Sequence, residues 1–334
     1  ESTMALTLSA LLPLSLTPRR AGLSGVEKAT LAYLVMTTAV IAIMAGRLAD
    51  VGALLLLRLA IAGGLVLTVG LYRLRPCRLT LLLRYLFPLS LLSVWYPDTY
   101  AFCSTLPYLD HAFAAADQWL FGCQPALTFS AALPQKIWSE LFHLGYFSYY
   151  LMIAGAVLSP LLLARERFSR TAFIVMATFF LYYTIYLFLP VSGPQYYFCA
   201  IGLDQAAAGH FPAVADGYFA LHQQMLPSPG PDGLFRTLVE QAQAGGERPT
   251  AAFPSSHVGA ATVLMLLMYR TRRWLTWLMM PLYLLLVGAT VYIQAHYLVD
   301  VFGGLATGVL FYIILDRLYP HVERRFAGTR PPFA

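Results

Sequence analysis

The chain has 334 residues, 59% hydrophobic and 11% charged, with a formal net charge of +6. A soluble domain carries about a quarter charged residues, so this composition excludes an ordinary water-soluble fold and points to the bilayer as solvent. The basic residues fall in short loop clusters rather than on one face, which excludes a nucleic-acid patch.

Glu1-Ser2-Thr3 ahead of Met4 reads as an expression scar. Residues 5–16 are apolar but broken by Pro13, which suggests an interfacial helix within an N-terminal region 1–28. Crossing a bilayer takes about 20 mostly apolar residues. About eight such windows follow, at roughly 29–46, 52–72, 79–97, 137–163, 171–190, 255–269, 275–293 and 296–316. The sixth is short and needs neighbouring residues to span. The expected fold is therefore an all-α polytopic membrane protein, with transmembrane helices over 29–97, a catalytic membrane domain over 98–316 and a basic tail over 317–334.

Loop charge orients this map. With the N-terminus cytoplasmic, the inner segments hold Arg19, Arg20 and Lys28, then Arg73, Arg75, Arg78 and Arg84, then Arg165, Arg167 and Arg170. They continue with Arg270, Arg272 and Arg273, and with Arg317, Arg324, Arg325 and Arg330. Only Arg47, Lys136, Arg236 and Arg248 fall outside, while Arg58 sits in a span. The expectation is a multi-pass protein with both termini cytoplasmic. Two outer segments exceed mere connectors: 98–136, with Asp98, Asp110, Asp117 and the amphipathic stretch Leu109–Phe121, and 191–254, rich in Ala, Gly, Pro and Gln. Long loops in a compact protein are usually functional or disordered, and a partly ordered extracytoplasmic cap is expected here. Cys77, Cys103, Cys123 and Cys199 lack metal spacing. They read as packed or free thiols, with one disulfide among the last three left open.

Two polar runs stand out against this apolar background. Phe253-Pro254-Ser255-Ser256-His257-Val258-Gly259 enters the sixth span from outside, and His296-Tyr297-Leu298-Val299-Asp300 enters the eighth from the same side. Imidazoles and carboxylates at membrane depth are costly and tend to be functional. His296 and Asp300, at i and i+4, share a helical face. The aspartate can accept a hydrogen bond from one imidazole nitrogen and leave the other free to attack an electrophile. His257 can protonate a leaving alcohol and then deprotonate the acceptor. Ser255 and Ser256 offer hydroxyls and backbone N–H groups to a phosphate oxygen. Glu140 and His143, at i and i+3, are candidates for binding a polyol headgroup or orienting the catalytic pair, or else they anchor a helix end at the interface. Gln195, Tyr196 and Tyr197 are headgroup contacts or ordinary interfacial aromatics. No metal-ligand cluster appears, and no cofactor is required.

Pro254-Ser255-Ser256-His257 followed by His296-x-x-x-Asp300 resembles the second and third signatures of the type 2 phosphatidic acid phosphatase (PAP2) superfamily, over roughly residues 105–316. The likeness is nearest to its inositol phosphorylceramide synthase-like branch, with sphingomyelin synthases as relatives. Supporting features are Asp117-x-x-Leu120-Phe121-Gly122-x-x-Pro125, the run from Trp138 to Tyr150, and Pro190 to Gln195. The resemblance implies that His296 attacks phosphorus, Asp300 positions it and His257 is the general acid and base. It also implies a six-helix core with the site on the extracytoplasmic face. The chain departs from the phosphatases in lacking the first signature, a lysine seven residues before Arg-Pro. It also has Ala289 and Thr290 where Ser-Arg precedes the third-signature histidine. Three cations that would grip a phosphate dianion are missing, although Arg248 or Lys136 can fold back. This fits phospho-headgroup transfer, such as phosphoinositol from phosphatidylinositol to ceramide through a phosphohistidine. The alternatives are a lipid phosphate monoesterase and a transporter with a histidine proton relay. The expected partners are membrane lipids, not nucleic acid. Headgroup, acceptor, type of membrane and oligomeric state stay open.

Overall fold

In the computed structural model of the chain, residues 17, 19–327 and 332–333 are described. Residues 1–3, read as a scar, and the interfacial helix expected over 5–16 lie outside them. Among the described residues there is no β-strand, as expected of an all-α polytopic membrane protein. Among the described residues seven helices are long and apolar enough to cross a membrane: Gly25–Met44, Val51–Leu74, Arg78–Cys103, Lys136–Leu163, Arg165–Phe188, Arg273–Tyr292 and Leu298–Phe326. The third is broken near Leu91, after Pro88, so it comprises α3 (Arg78–Ser90) and α4 (Leu92–Cys103). The sixth window is a helix of 16 residues, Ser256–Thr271, too short to reach across unaided. Seven full-length spans and this short buried helix coincide with the eight expected windows, the sixth being short as its sequence implies.

The chain divides into two compact units. The first consists of the described parts of Glu1–Val94, Arg165–Ala177 and Leu315–Ala334. It holds α1 (Gly25–Met44), α2 (Val51–Leu74) and α3. Ser24 and Glu27 form a capping box at the start of α1, and Glu27 receives both Arg84 Nε and Arg84 Nη2 at 2.6 Å. Both side chains are almost fully buried, and the Arg84 guanidinium also lies against the Tyr72 and Phe326 rings. Glu323 accepts the Tyr85 hydroxyl at 3.0 Å and the Gly25 N–H. Arg84 therefore belongs to a buried ion pair and not to the loop charge that orients the chain; its position near the start of a hydrophobic run hid that.

The second unit, Trp95–Ala164 and Thr178–Ile314, contains the histidine motifs. Its elements include α5 (Asp110–Phe121), α6 (Pro125–Ala132), α7 (Lys136–Leu163), and the later part of α8 (Phe168–Phe188). Short helices α9 (Pro194–Ile201), α10 (Leu203–Ala207), α11 (Tyr218–Leu221) and α12 (Leu234–Gly246) occupy the long Ala/Gly/Pro-rich segment. Then come α13 (Ser256–Thr271), α14 (Arg273–Tyr292) and most of α15 (Leu298–Ala327). The amphipathic stretch read over 109–121 is thus a helix. α13 packs against both α7 and α14, which also pack on each other. Its residues are apolar or small and buried on nearly every side, as expected of a helix at the centre of a bundle. All four cysteines are free thiols, so the disulfide left open among Cys103, Cys123 and Cys199 is not formed. Buried Cys103 instead donates to the Thr250 hydroxyl at 3.0 Å.

Candidate active site

Glycine brings the two motif helices together. A Cβ added at Gly304 would lie 2.5 Å from the Ser255 carbonyl oxygen, and one at Gly308 would lie 2.5 Å from that of Gly259. Small residues at a membrane helix crossing let backbones touch, so α13 and α15 meet directly at the turn that carries His257. Ser255 caps α13, its hydroxyl accepting the Val258 N–H at 3.3 Å. Tyr186 on α8 fixes the approach: its hydroxyl donates to the Pro254 carbonyl at 2.8 Å and accepts the Ser256 N–H at 3.0 Å.

His296 is held on one side by a backbone carbonyl. Its Nδ1 lies 2.8 Å from the Ala252 oxygen, and a carbonyl only accepts, so Nδ1 carries the proton and Nε2 the free lone pair of the neutral ring. Nε2 is 3.3 Å from His257 Nδ1, which must then donate. The Asp300 carboxylate is fully buried, with Oδ2 at 3.6 Å from His296 Nδ1. That is beyond hydrogen-bond range. Oδ2 instead accepts the Tyr297 N–H at 2.8 Å. The expected Asp300–imidazole hydrogen bond is thus replaced by one to Ala252, with the carboxylate supplying charge beside it. Ala251 and Gln294, next to these contacts, take left-handed φ angles of 71° and 67°. Such conformations cost energy in non-glycine residues and gather where the surrounding structure fixes a functional geometry.

α5 braces both loops from one face. Asp110 accepts the N–H groups of Ser192 and Gly193 at 2.9 and 2.8 Å, and the Tyr297 hydroxyl at 3.1 Å. Asp117, two turns on, accepts those of Leu298 and Val299 at 2.8 and 3.0 Å, satisfying orphan donors at the start of α15. Burial pushes the Asp110 carboxyl up to about 6 and that of Asp117 above the ordinary range, while these hydrogen bonds pull both back. At Gly193 (φ +93°) a Cβ would meet the Ala295 carbonyl at 2.5 Å, which explains the glycine in the turn after Val191.

A cleft opens on the two histidines, lined by Tyr96, Ser192, Glu247, Thr250, Ala251, Ala252, Ser256, His257, Ala295 and His296. Among the described residues, no arginine or lysine lines it. Outside that lining, the rings of Tyr146 and Tyr149 pack 4.7 and 4.8 Å from the His257 imidazole, centroid to centroid. Both hydroxyls are buried without a hydrogen-bond partner.

Of the sequence candidates, His257, His296 and Asp300 come together, and Ser256 lines the cleft. Ser255 does not, because its hydroxyl is spent on capping. Glu140 accepts the Phe235 and Arg236 N–H groups at 3.1 and 3.2 Å, so it caps α12 rather than facing a headgroup. His143 donates from Nδ1 to the Ser139 carbonyl at 2.7 Å and is buried away from the cleft lining. Gln195 is tied to Gln243 at 3.3 Å, and Tyr196 packs with Tyr108 and Phe219. Arg248 donates to the Glu247 carbonyl at 3.0 Å and does not line the cleft. The sequence reading missed Glu247, a half-buried carboxylate 3.4 Å from the Tyr96 hydroxyl. Its removal from water pushes it up to about 7, with His296 and the Tyr96 hydroxyl pulling the other way. Nothing marked it, since a glutamate in a polar loop is ordinary.

The PAP2 superfamily model matches residues 111–314, the stretch that holds α5, both motifs and the cleft. The chain belongs to the PAP2 superfamily. As a PAP2 superfamily membrane protein it is of a kind consistent with lipid phosphatase or phosphotransferase activity. Comparison with curated proteins and with solved structures finds no match.

Proposed function

We propose that this PAP2 protein is a lipid phosphotransferase of the inositol phosphorylceramide synthase-like branch. It moves a phospho-headgroup, phosphoinositol from phosphatidylinositol, to a lipid alcohol such as ceramide. The observation that carries this reading is the cleft lining: two histidines and a carboxylate, with no arginine or lysine. A monoester dianion bound there would have no guanidinium or ammonium partner, and charge-assisted contacts are what such anions ordinarily require. A phosphodiester carries one charge fewer.

The chemistry follows from the ring geometry. His296 Nε2 donates its lone pair to phosphorus while the bond from phosphorus to the diacylglycerol oxygen breaks. Protonated His257 gives its proton to that oxygen, and diacylglycerol leaves. The headgroup phosphate is now bonded to His296 Nε2, whose ring carries positive charge. The Ala252 carbonyl at 2.8 Å and the Asp300 carboxylate at 3.6 Å stabilise that charge. The acceptor hydroxyl then loses its proton to His257 as its oxygen attacks phosphorus, and the P–N bond breaks. Protons and charges return to their starting places. The loop charges support an extracytoplasmic site with both termini cytoplasmic.

Intact-protein mass spectrometry after mixing with phosphatidylinositol and no acceptor tests the covalent step. The wild type gains the mass of phosphoinositol and loses it when ceramide is added, and His296→Ala gains nothing. Adduct formation in His296→Ala would remove His296 from the chemistry. Free phosphate released from phosphatidic acid, with no acceptor-dependent product, would assign the site to a monoester phosphatase instead.

A further inference from the structure

Of the two histidines and one carboxylate that line the cleft, the double displacement uses the histidines and leaves the Glu247 carboxylate without a role. It sits where α12 ends, half-buried, with the Tyr96 hydroxyl at 3.4 Å and no cation in the lining. It interacts electrostatically with His296 and with the hydroxyls of Tyr96, Tyr146 and Tyr196. The only basic side chain beside it in sequence, Arg248, turns to a backbone carbonyl. A partly enclosed carboxylate without a cation is costly unless it serves something absent from the free protein. A second, independent feature points to a ligand: the buried hydroxyls of Tyr146 and Tyr149, whose rings flank His257, have no partner. The cleft itself offers one strong acceptor, Glu247, beside the neutral hydroxyls of Tyr96, Ser192, Thr250 and Ser256, and the two tyrosines pack against His257 just outside its lining. Buried polar groups left unpaired are what a site uses to reject molecules that cannot satisfy them.

We propose that Glu247 determines substrate selection in this cleft, accepting a hydrogen bond from an uncharged hydroxyl of the substrate and excluding doubly charged phosphate monoesters. The inference rests on the phosphotransferase reading and adds a residue to it. The carboxylate binds a hydroxyl because it can only accept and a hydroxyl can donate. It repels a phosphate in proportion to the phosphate's charge, so a dianion is penalised twice as strongly as a diester monoanion at equal distance. The hydroxyl belongs either to a polyol headgroup or to the acceptor alcohol.

The test compares turnover of phosphatidylinositol with ceramide against hydrolysis of phosphatidic acid, in the wild type, Glu247→Gln and Glu247→Lys. The wild type is expected to transfer headgroup and to hydrolyse phosphatidic acid poorly. Glu247→Gln raises the ratio of monoester to diester kcat/KM at least tenfold, and Glu247→Lys raises it further. A KM increase confined to phosphatidylinositol assigns the hydroxyl to the headgroup, and one confined to ceramide assigns it to the acceptor. A ratio within twofold of wild type in both variants overturns the proposal while headgroup transfer by the wild type leaves the broader reading intact. Efficient phosphatidic acid hydrolysis by the wild type, without transfer, overturns both. Should the variants lose turnover, calorimetric binding of short-chain phosphatidic acid and phosphatidylinositol gives the same ratio, and an unchanged ratio again overturns the proposal.

Discussion

Ala252 contributes the acceptor that fixes the His296 tautomer, and it does so through its backbone. With the carbonyl at 2.8 Å and Asp300 Oδ2 at 3.6 Å, Asp300→Asn removes charge near the imidazolium but keeps the ring oriented. A hydrogen-bonding or charge contact of this kind is worth about 1.5–3 kcal/mol. Steady-state kinetics should therefore show kcat about 10- to 100-fold lower in Asp300→Asn, against complete loss in His296→Ala; equal losses would mean that Asp300 alone orients the ring. Glu247 predicts a pH effect. The groups around it are Tyr96, Tyr146, Tyr150, Tyr196, Arg248, His257 and His296. Its carboxyl is pushed up to about 7 by burial, so it is charged above neutrality and neutral below. Lowering the pH from 8 to 6 should raise phosphatidic acid hydrolysis relative to headgroup transfer, and Glu247→Gln should flatten that profile. The histidines and Asp300 were legible in the sequence because polar groups stand out in apolar surroundings. Glu247 was not, since Gly245-Gly246-Glu247-Arg248 is ordinary loop composition, and a carbonyl such as that of Ala252 leaves no trace in residue type.

Helix contacts set the His257–His296 distance of 3.3 Å through the backbone approach of α13 and α15. Gly304→Val places branched carbon where a Cβ already meets the Ser255 carbonyl at 2.5 Å. A shift of about 1 Å at the reacting groups costs on the order of 10²-fold. Activity should therefore fall by about that factor in Gly304→Val, while circular dichroism retains full helicity; unchanged kcat would show that the crossing does not set the geometry. α5 makes a similar demand. Asp117→Ala leaves the Leu298 and Val299 N–H groups without acceptors, a cap loss worth about 0.5–2 kcal/mol, read as a lower melting temperature. The sequence reading singled out Asp110 and Asp117 as acidic residues of an outer segment and found the helix around them. Their job, clamping loops about 80 and 180 residues away in the chain, depends on tertiary placement that no local pattern encodes. Glu140 shows the converse: helical spacing with His143 suggested a headgroup contact, and a distant helix start claimed the carboxylate instead.

The spans themselves were readable from hydrophobic windows because a bilayer imposes its thickness on any helix that crosses it. Two details have physical reasons. The sixth window is short because Pro254 and Ser255 begin the helix late and Arg272 ends it early. Protein rather than lipid surrounds it, so it need not match the membrane. Arg84 stands beside the loop cations in sequence, yet Glu27 neutralises it inside the first unit. Removing one partner of a buried pair typically costs 3–5 kcal/mol, so Arg84→Ala should lower thermal stability in detergent by about that amount. PAP2 membership is consistent with lipid phosphatase or phosphotransferase activity, and the headgroup transfer proposed above rests on the paired histidines and the cleft lining. The most direct measurement is lipid mass spectrometry after mixing the purified protein with phosphatidylinositol and ceramide, alongside His296→Ala. The account predicts inositol phosphorylceramide and diacylglycerol in equal amounts from the wild type and neither from the variant. Neither product from the wild type, with phosphatidic acid losing phosphate under the same conditions, would contradict it.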